Sequence, residues 1–183
     1  MPSNPLLSYT GIMPEVILIA HNIRSTHNVG AFFRTCDGLG VQKIILSGYT
    51  PYPTFKDDTR LPHFADKITR QIHKTALGAE TTVPFERHEL PPIEQLRIEG
   101  YSIIGLEQDE RSVMLTDYKP SQKVALLLGN EIDGIYPEYR DQCDDLIEIP
   151  MHGQKESFNV SVAAGIALYA LTTSKPRSPH PAI

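Results

Sequence analysis

The chain has 183 residues, of which 40% are hydrophobic, and a formal net charge of −5 at pH 7. That length is enough for one domain with a full hydrophobic core, and no apolar run approaches the roughly 20 residues of a membrane span. We expect a cytoplasmic protein without a metal, because there is no signal-peptide pattern, the two cysteines form no C-x-x-C motif and the seven histidines are scattered.

The predicted elements alternate between strand and helix along the chain. Apolar runs predict strands at 16–20, 41–46, 101–106, 124–128 and 146–149. Helical spacing and capping residues predict helices at 29–39, from Pro91 and Pro92 to Gly100, at 136–142 and at 160–171. The proline-rich, charged segment 51–73 is predicted to be a long loop with a short helix.

This alternation predicts an α/β fold, with a mainly parallel sheet flanked by helices. We expect one domain over residues 1–173. The tail at 174–183 contains three prolines and is predicted to be disordered.

The negative charge is concentrated in one segment. Residues 131–148 hold seven acidic residues and one arginine, a local charge of −6, so the rest of the chain carries +1 (−5 minus −6). Residues 51–75 form a weak basic patch in which five cations outnumber three aspartates. Binding of a phosphate would therefore be local, and a solvated charged face explains the same residues.

Three segments rich in glycine, asparagine and serine follow predicted strands, at 21–40, 128–135 and 149–165. The carboxyl ends of parallel strands form the ligand-binding edge of an α/β sheet. The chain lacks a G-x-G-x-x-G after its first strand, a P-loop motif and a G-x-S-x-G motif, which disfavours nicotinamide, P-loop and serine-hydrolase sites. An ordinary helix cap remains the simpler explanation for any one segment alone.

Together the three segments resemble the motifs of one enzyme family. They read N-V-G-A-F-F-R-T from Asn28, L-G-N-E-I-D-G-I from Leu128, and I-P-M-x-G from Ile149 followed by S-F-N-V-S-V-A from Ser157. Their order and spacing are similar to motifs one to three of the SpoU/TrmH-type RNA ribose 2′-O-methyltransferases of the SPOUT superfamily. The resemblance spans residues 16–171. It implies a deep trefoil knot near the C-terminal end, a rare exception among folds, and a homodimer packed through the first and last helices.

The resemblance also implies a site for S-adenosylmethionine in the knot loops. The adenine would be enclosed by backbone near five residues: Leu106, Gly129, Ile149, Met151 and Phe158. A Cβ at position 129 would obstruct the cofactor, so Gly129→Val is expected to abolish cofactor binding in a folded protein. Phe158 replaces the leucine commonest at its position but stays apolar. Core packing alone explains Ile149, Met151 and Phe158 equally well.

Arg34 is the candidate residue for chemistry. Methyl transfer to a ribose 2′-hydroxyl is an in-line displacement that needs a deprotonating oxygen. A guanidinium is a poor base, so we expect Arg34 to orient the substrate phosphate and stabilise the forming alkoxide; a surface ion pair is the alternative. The resemblance implies that Asn28 and Asn159 fix the geometry of the loops and form hydrogen bonds with Arg34 or with the ribose. It implies that Ser157 contacts the substrate or the motif-one loop, and that Glu131 anchors backbone N–H groups or Arg34 across the dimer interface.

RNA contacts are expected from five cations: Arg24, Lys56, Arg60, Arg70 and Lys74. Asn22 and His27 are further candidates, although a structural role explains His27 at least as well.

The kind of RNA is less constrained. Segment 99–108 is similar to the catalytic domain of eukaryotic enzymes that methylate guanosine 18 of tRNA. About 15 residues precede the first strand, so the N-terminal RNA-binding domain usual in the bacterial rRNA enzymes is not expected. We interpret the substrate as tRNA, with rRNA as the alternative. A non-catalytic RNA- or cofactor-binding member and a methyltransferase for proteins or small molecules stay open.

Overall fold

The computed structural model describes residues 13–177, which form one parallel sheet with helices on both faces. The strands are β1 (Glu15–His21), β2 (Ile44–Ser47), β3 (Phe85–His88), β4 (Ser102–Leu106), β5 (Val113–Met114), β6 (Lys123–Leu128) and β7 (Asp145–Glu148). The helices are α1 (Thr26–Leu39), α2 (Pro62–Ala76), α3 (Ile93–Ile98), α4 (Pro137–Arg140) and α5 (Val160–Thr173), with a 3-10 turn at Ala79–Thr81. The predicted α/β class with a mainly parallel sheet is confirmed.

The strand order is β3-β2-β1-β6-β4-β7-β5, and the paired strands run parallel. Alternate residues of the central strand β1 feed two cores. Val16 and Leu18 pack on the side of α1, α2 and α5, whereas Ile17 and Ile19 pack on the side of α3. Because both faces of β1 are covered, its sequence reads as an unbroken apolar run.

The largest difference from the predicted elements is α2. The sequence predicts a long loop with a short helix at 51–73, but Pro62–Ala76 form a helix of 15 residues. Its buried residues, Ala65, Ile72 and Ala76, are few and widely spaced, and charged residues between them hide the helical period. Pro62 lies in the first turn, where its missing N–H removes no helical hydrogen bond.

The two strands that the sequence did not predict lie at the sheet edges. β3 carries a glutamate, an arginine and a histidine, and β5 has only two exposed residues, so neither has the apolar run of a buried strand. The second predicted strand, at 41–46, begins later than expected, at Ile44. No helix among residues 13–177 has the length and hydrophobicity to cross a membrane.

The ends of the predicted domain and tail, at 1–12 and 178–183, lie outside the described residues. Within the described part of the tail, Arg177 is held against the domain. Its backbone N–H donates to Pro120 O (2.8 Å) and its guanidinium donates to Ser121 Oγ (2.9 Å).

The packing of α1 brings the candidate site together. Helix α5 packs beside α1, and α2 crosses α1 so closely that a Cβ on Gly30 would lie 2.3 Å from Ile72 O. The first turn of α1 also contacts the end of α2, where Thr75 Oγ1 donates to His27 O (2.9 Å). The N-terminal ends of α1 and α5 therefore meet at the carboxyl edge of the sheet, where ligands bind in α/β folds.

Candidate active site

A cavity of about 450 Å³ opens at the carboxyl edge of the sheet. Its walls come from the ends of three neighbouring strands, β6, β4 and β7, and from the segment that leads into α5. Four of the five predicted cofactor residues line it: Leu106, Gly129, Ile149 and Phe158. Three predicted catalytic residues also line it: Glu131, Ser157 and Asn159.

Met151, the fifth predicted cofactor residue, does not line the cavity. It follows Pro150, where the chain leaves the sheet, and the next residues, from His152 to Asn159, are exposed. Its contact with the cofactor stays a prediction.

One carboxylate ties the first two motifs together. Glu131 accepts hydrogen bonds from the backbone N–H groups of Arg24 (3.1 Å) and Ser25 (3.3 Å) and from Asn28 Nδ2 (2.8 Å). Partial burial would raise the pKa of Glu131, but these donors outweigh it and lower the pKa below its usual value. The carboxylate is therefore ionised at neutral pH and anchors the loop between β1 and α1.

The third motif joins through asparagine side chains. Asn159 is the N-cap of α5, and its Oδ1 accepts from Ser161 N (2.9 Å). Its Nδ2 donates to Asn28 Oδ1 (3.3 Å). Asn28, Glu131 and Asn159, which we call the motif junction, thus contribute one residue from each motif. A cap alone would need only the bond to Ser161, so the contact to Asn28 is an additional tie between α5 and α1.

The motif-two loop is a tight internal turn. Asn130 and Gly134 exchange two backbone hydrogen bonds, each of 3.1 Å. Asn130 Oδ1 also accepts from the N–H groups of Ile132 (2.8 Å) and Asp133 (2.7 Å), the pattern of an Asx turn. Glu107 holds the far side of the loop by accepting from Ile135 N (2.7 Å). Motif resemblance did not single out Asn130 or Glu107; the Asn-x-x-Asp-Gly spacing signals the turn around Asn130, and no local signal marks Glu107.

This turn requires glycine at position 129, and for a different reason from the one expected. A Cβ on Gly129 would lie 2.0 Å from Gly134 O and 2.3 Å from Ile135 N. The collision is with the chain's own backbone, before any ligand is considered. A larger residue at position 129 must therefore displace the loop, so the expected loss of cofactor binding in Gly129→Val would have a cause within the loop itself.

Arg34 lies away from this cavity on the exposed surface of α1. Among residues 13–177 it forms no ion pair. The alternative of a surface ion pair therefore finds no partner in the described part of the chain. Asn28, three residues into α1, is buried, so the two predicted residues of motif one point to different surroundings.

Arg60 differs from the other predicted RNA-binding cations, because its side chain has partners within the chain. Its side chain is only 15% exposed and pairs with Asp58 (2.6 Å). It also donates to the carbonyl oxygens of Tyr52 (3.1 Å) and Pro53 (3.3 Å), and its guanidinium lies 3.6 Å from the centre of the Tyr52 ring. Arg60 therefore holds the loop between β2 and α2 and has few donors left for RNA.

The other predicted RNA-binding cations, Arg24, Lys56, Arg70 and Lys74, are exposed. Two of them belong to a row on α2 that the sequence patch did not resolve. His63, Lys67, Arg70 and Lys74 recur at helical spacing, i, i+4, i+7 and i+11, and all are exposed. We call this row the α2 basic face. Its three permanent cations have no ion pairs within the described chain, whereas Arg87, Arg97 and Arg111 each pair with a carboxylate.

Comparison with known proteins identifies the relatives of this chain. A tRNA (guanosine(18)-2′-O)-methyltransferase of Aquifex aeolicus is 30% identical over 85% of this chain and 67% of its own length. A 23S rRNA (guanosine-2′-O-)-methyltransferase of Neisseria meningitidis is 34% identical over 85% of this chain, which spans only 57% of that protein. The AdoMet-bound rRNA methyltransferase of Sinorhizobium meliloti superposes with a TM-score of 0.68 at 25% identity, over 87% of this chain and 56% of that one.

The family comparison covers the whole region built above. The model of the SpoU rRNA Methylase family matches residues 15–169, from β1 into α5, and so includes the cavity and all three members of the motif junction. The chain belongs to the SpoU rRNA Methylase family.

Proposed function

We propose that this chain transfers a methyl group from S-adenosylmethionine to the ribose 2′-hydroxyl of an RNA nucleotide. The motif junction carries the proposal. At the mouth of one cavity, Asn28 bonds to Glu131, which lies 103 positions away in the sequence, and to Asn159, which lies 131 positions away. Capping two helices does not need bonds between residues so far apart. Family membership supports the same reaction, since the related proteins above are named as RNA 2′-O-methyltransferases.

The cavity fits S-adenosylmethionine in size and chemistry. Its volume of about 450 Å³ lies within the range of small-molecule sites. Leu106, Ile149 and Phe158 offer apolar walls for an adenine, while the carboxylates of Glu131 and Glu148 suit the positive charge of a sulfonium. When bound, the cofactor supplies an electrophilic methyl group.

Arg34 is proposed to act on the RNA rather than on the cofactor. Its guanidinium would grip a phosphate through paired N–H donors, orient the 2′-hydroxyl and stabilise negative charge on that oxygen as the proton leaves to solvent. Asn28 and Asn159 would keep α1 and α5 in register so that Arg34 meets the substrate in one geometry. Ser157, on the cavity wall, is proposed to contact the substrate.

Because Arg34 does not line the cavity of its own subunit, we propose a homodimer in which it serves the partner's cavity. Helix α5 supports this, since it buries one apolar face yet exposes Val162, Ile166 and Tyr169 in a single row on another. A mass near twice 20.4 kDa by light scattering is expected at micromolar concentration. Tyr169→Glu should halve that mass and abolish methylation while the monomer still binds cofactor; an active monomer would contradict the proposal.

We also infer a trefoil knot near the C-terminal end. The inference rests on membership of the family, whose resemblance implied the knot. The strand order, in which β6 and β7 lie on either side of β4, is compatible with it but also occurs in unknotted doubly wound sheets. Tracing residues 106–171 in an experimental density map would test the crossing directly; an open path would remove it.

For the RNA, we propose tRNA, with rRNA as the second candidate. The Aquifex relative supports tRNA and is matched over the larger share of its length, whereas the Neisseria relative supports rRNA at slightly higher identity. The α2 basic face and Arg24 are proposed to bind the RNA backbone, because exposed cations without an ion pair can bind its phosphates.

The test is incubation with radiolabelled S-adenosylmethionine and, separately, unfractionated tRNA, rRNA and total protein. Label should enter tRNA as an alkali-stable 2′-O-methylnucleotide, because a methylated 2′-oxygen cannot attack its own phosphodiester. Label in rRNA alone would select the second candidate. Label in protein, or in none of the three while cofactor binds, would overturn the proposed reaction.

A further inference from the structure

Tyr49 is an exposed aromatic residue beside the motif junction. It follows β2 at the carboxyl edge of the sheet and is 55% exposed. Strand β2 is separated from β6, which leads into the motif-two loop, by β1 alone, a distance of about 10 Å at the usual strand spacing. A nucleotide whose ribose enters the cavity mouth would therefore have its base, or that of its neighbour, within reach of this ring.

The backbone at Tyr49 is fixed by two unusual conformations. Asn22 has φ +58° and Gly48 has φ +66°, both in the left-handed region. Tyr49 N donates to Asn22 Oδ1 (3.2 Å), and a Cβ on Gly48 would lie 1.8 Å from that same oxygen. A non-glycine residue in this region costs free energy and is kept where the surrounding structure requires it, often at functional sites. The turn thus holds Tyr49 against the loop that also contains Ser25 and the N–H group bound by Glu131.

The phenol of Tyr49 lies near the motif-two loop. Tyr136, whose hydroxyl accepts from Asn130 Nδ2 (3.2 Å), is one of its neighbours. Partial desolvation first, and then Tyr136, raise the pKa of Tyr49, while the neighbouring Arg24 guanidinium opposes them. The exposed ring therefore lies close to the motif-two loop, with the charge of Arg24 nearby.

Nothing in the core requires this exposure. A tyrosine that serves packing buries its ring and leaves only its hydroxyl in water, whereas more than half of the Tyr49 surface is exposed. Other exposed aromatics are differently placed: Phe64 lies at the start of α2 and Tyr169 near the end of α5. Tyr49 is bonded through Asn22 to the motif-one loop itself.

We propose that Tyr49 is a stacking platform for an RNA base, at or next to the methylated nucleotide. The inference rests on the proposed function, because it needs RNA at the cavity mouth. Proteins that bind single-stranded loops of RNA commonly hold the splayed-out bases on aromatic rings. Arg24 beside the ring supplies a cation for the adjoining phosphate. Because every base has a π face, this contact would bind RNA without choosing the base.

Kinetics with unfractionated tRNA and rRNA separate stacking from structure. Tyr49→Ala should raise the apparent KM for RNA about 5- to 150-fold, the range of one lost base–aromatic stack. S-adenosylmethionine affinity should stay unchanged. Tyr49→Phe keeps the ring and loses only the hydroxyl, so its KM should stay within about threefold of wild type. A Tyr49→Phe variant as impaired as Tyr49→Ala, or a Tyr49→Ala variant with wild-type KM, would overturn the proposal.

The absence of tryptophan from this chain gives a direct spectroscopic test. Tyr49→Trp gives the chain a single tryptophan. RNA should quench the emission of this tryptophan, whereas inorganic polyphosphate, which carries the charge but no bases, should not. The matched control is Ile98→Trp, at an exposed position on α3, on the opposite face of the sheet from α2, which should respond little to either. Equal quenching of the Tyr49→Trp variant by RNA and polyphosphate, or none by RNA, would overturn stacking.

The two proposals fail in different ways. If the wild-type chain methylates no RNA in these samples, the proposed function fails, and quenching of the Tyr49→Trp variant by RNA alone still decides whether a base stacks at this position. If the wild type and Tyr49→Trp both methylate RNA but the introduced tryptophan is not quenched, the reaction stands and only the platform is wrong.

Discussion

The cavity and the outer surface of α1 and α2 satisfy their polar groups in opposite ways. At the cavity mouth, Glu131, Asn28 and Asn159 bind one another and nearby backbone N–H groups. On the outer surface, Arg34 and the α2 basic face have no ion pairs among the described residues. A group satisfied internally is already positioned before a ligand binds, whereas an unpaired exposed cation gains its partner from outside. The difference fits the proposal that one chain builds the cavity for the cofactor and that the unpaired cations bind RNA.

The most severe way to break the cavity side is at Gly129. Gly129→Val should abolish S-adenosylmethionine binding, because its Cβ would sit 2.0 Å from Gly134 O and force the motif-two loop outward. Even Gly129→Ala should weaken binding markedly in calorimetry. Gly38→Ala, where a Cβ meets nothing within 4 Å, is the matched control and should bind cofactor like wild type. A folded Gly129→Val protein with full affinity would show that the loop does not form the cavity wall.

Substitution of Arg34, on the outer surface of α1, is expected to have the next largest effect. Arg34→Ala should lower the single-turnover methylation rate at saturating RNA by roughly 10² or more, since it removes charge stabilisation needed only as the methyl transfers. S-adenosylmethionine affinity should barely change because Arg34 does not line the cavity. Arg34→Lys should rescue little, because an ammonium lacks the planar, paired donors of a guanidinium. Full rates in Arg34→Ala would remove this residue from the chemistry.

The α2 basic face should affect binding and leave chemistry intact. Changing Lys67, Arg70 and Lys74 together to alanine should raise the apparent KM for RNA while turnover at saturation stays near wild type. If all three contact phosphates, the slope of log affinity against log salt should fall by roughly 2 to 3. Lys119→Ala with Lys175→Ala removes two exposed cations elsewhere and should leave the slope unchanged. An unaltered slope in the triple variant would identify α2 as a merely solvated face.

These residues also mark how far sequence could lead. The buried strand at 16–20 and the three motifs were readable because an apolar run and a glycine-rich turn are local patterns. Helix α2 was predicted to be shorter than it is, because its buried residues are few and widely spaced. Whether a cation is free is not local at all: Arg60 and Arg70 look alike in sequence, yet only Arg60 is enclosed by Asp58 and two carbonyl oxygens.

The same limit applies to the cavity. The bond between Glu131 and Asn28 joins residues 103 positions apart, and it depends on β6 lying next to β1 in the sheet. The resemblance of the motifs implied that these residues act together, but not which atoms meet. Likewise, the collision that forbids a side chain at position 129 comes from Gly134 folding back over it. The Asn-x-x-Asp-Gly spacing signals a turn at Asn130, whose side chain accepts from two successive N–H groups, but how closely that turn folds over Gly129 is seen only in the folded structure.

The smallest expected effect concerns the hydrogen bonds within the motif junction, and it is measured as the pH dependence of the melting temperature. The pKa of Glu131 is lowered on folding because Arg24 N, Asn28 Nδ2 and Ser25 N donate to its carboxylate, which outweighs its partial burial. A carboxyl whose pKa is lower in the folded state contributes stability above its unfolded pKa, near about 4.3, and loses that contribution as pH falls through the folded pKa. Glu131→Gln should therefore lower the melting temperature at pH 7 by a few degrees, on the order of one charge-assisted hydrogen bond in a partly exposed setting.

The pH dependence is what identifies the carboxylate as the cause. At pH 7 the wild-type Glu131 is ionised and the Glu131→Gln variant has lost the charge, so the difference in melting temperature is full. As the pH falls below the unfolded pKa of about 4.3 and through the lower folded pKa, the wild-type carboxyl takes up its proton, and the two curves should converge. Glu138→Gln, an exposed position in the same acidic segment, is the matched control and should differ little from wild type at either pH. A gap for Glu131→Gln that stays constant across this range would mean that the side chain's shape, and not its charge, anchors the loop between β1 and α1.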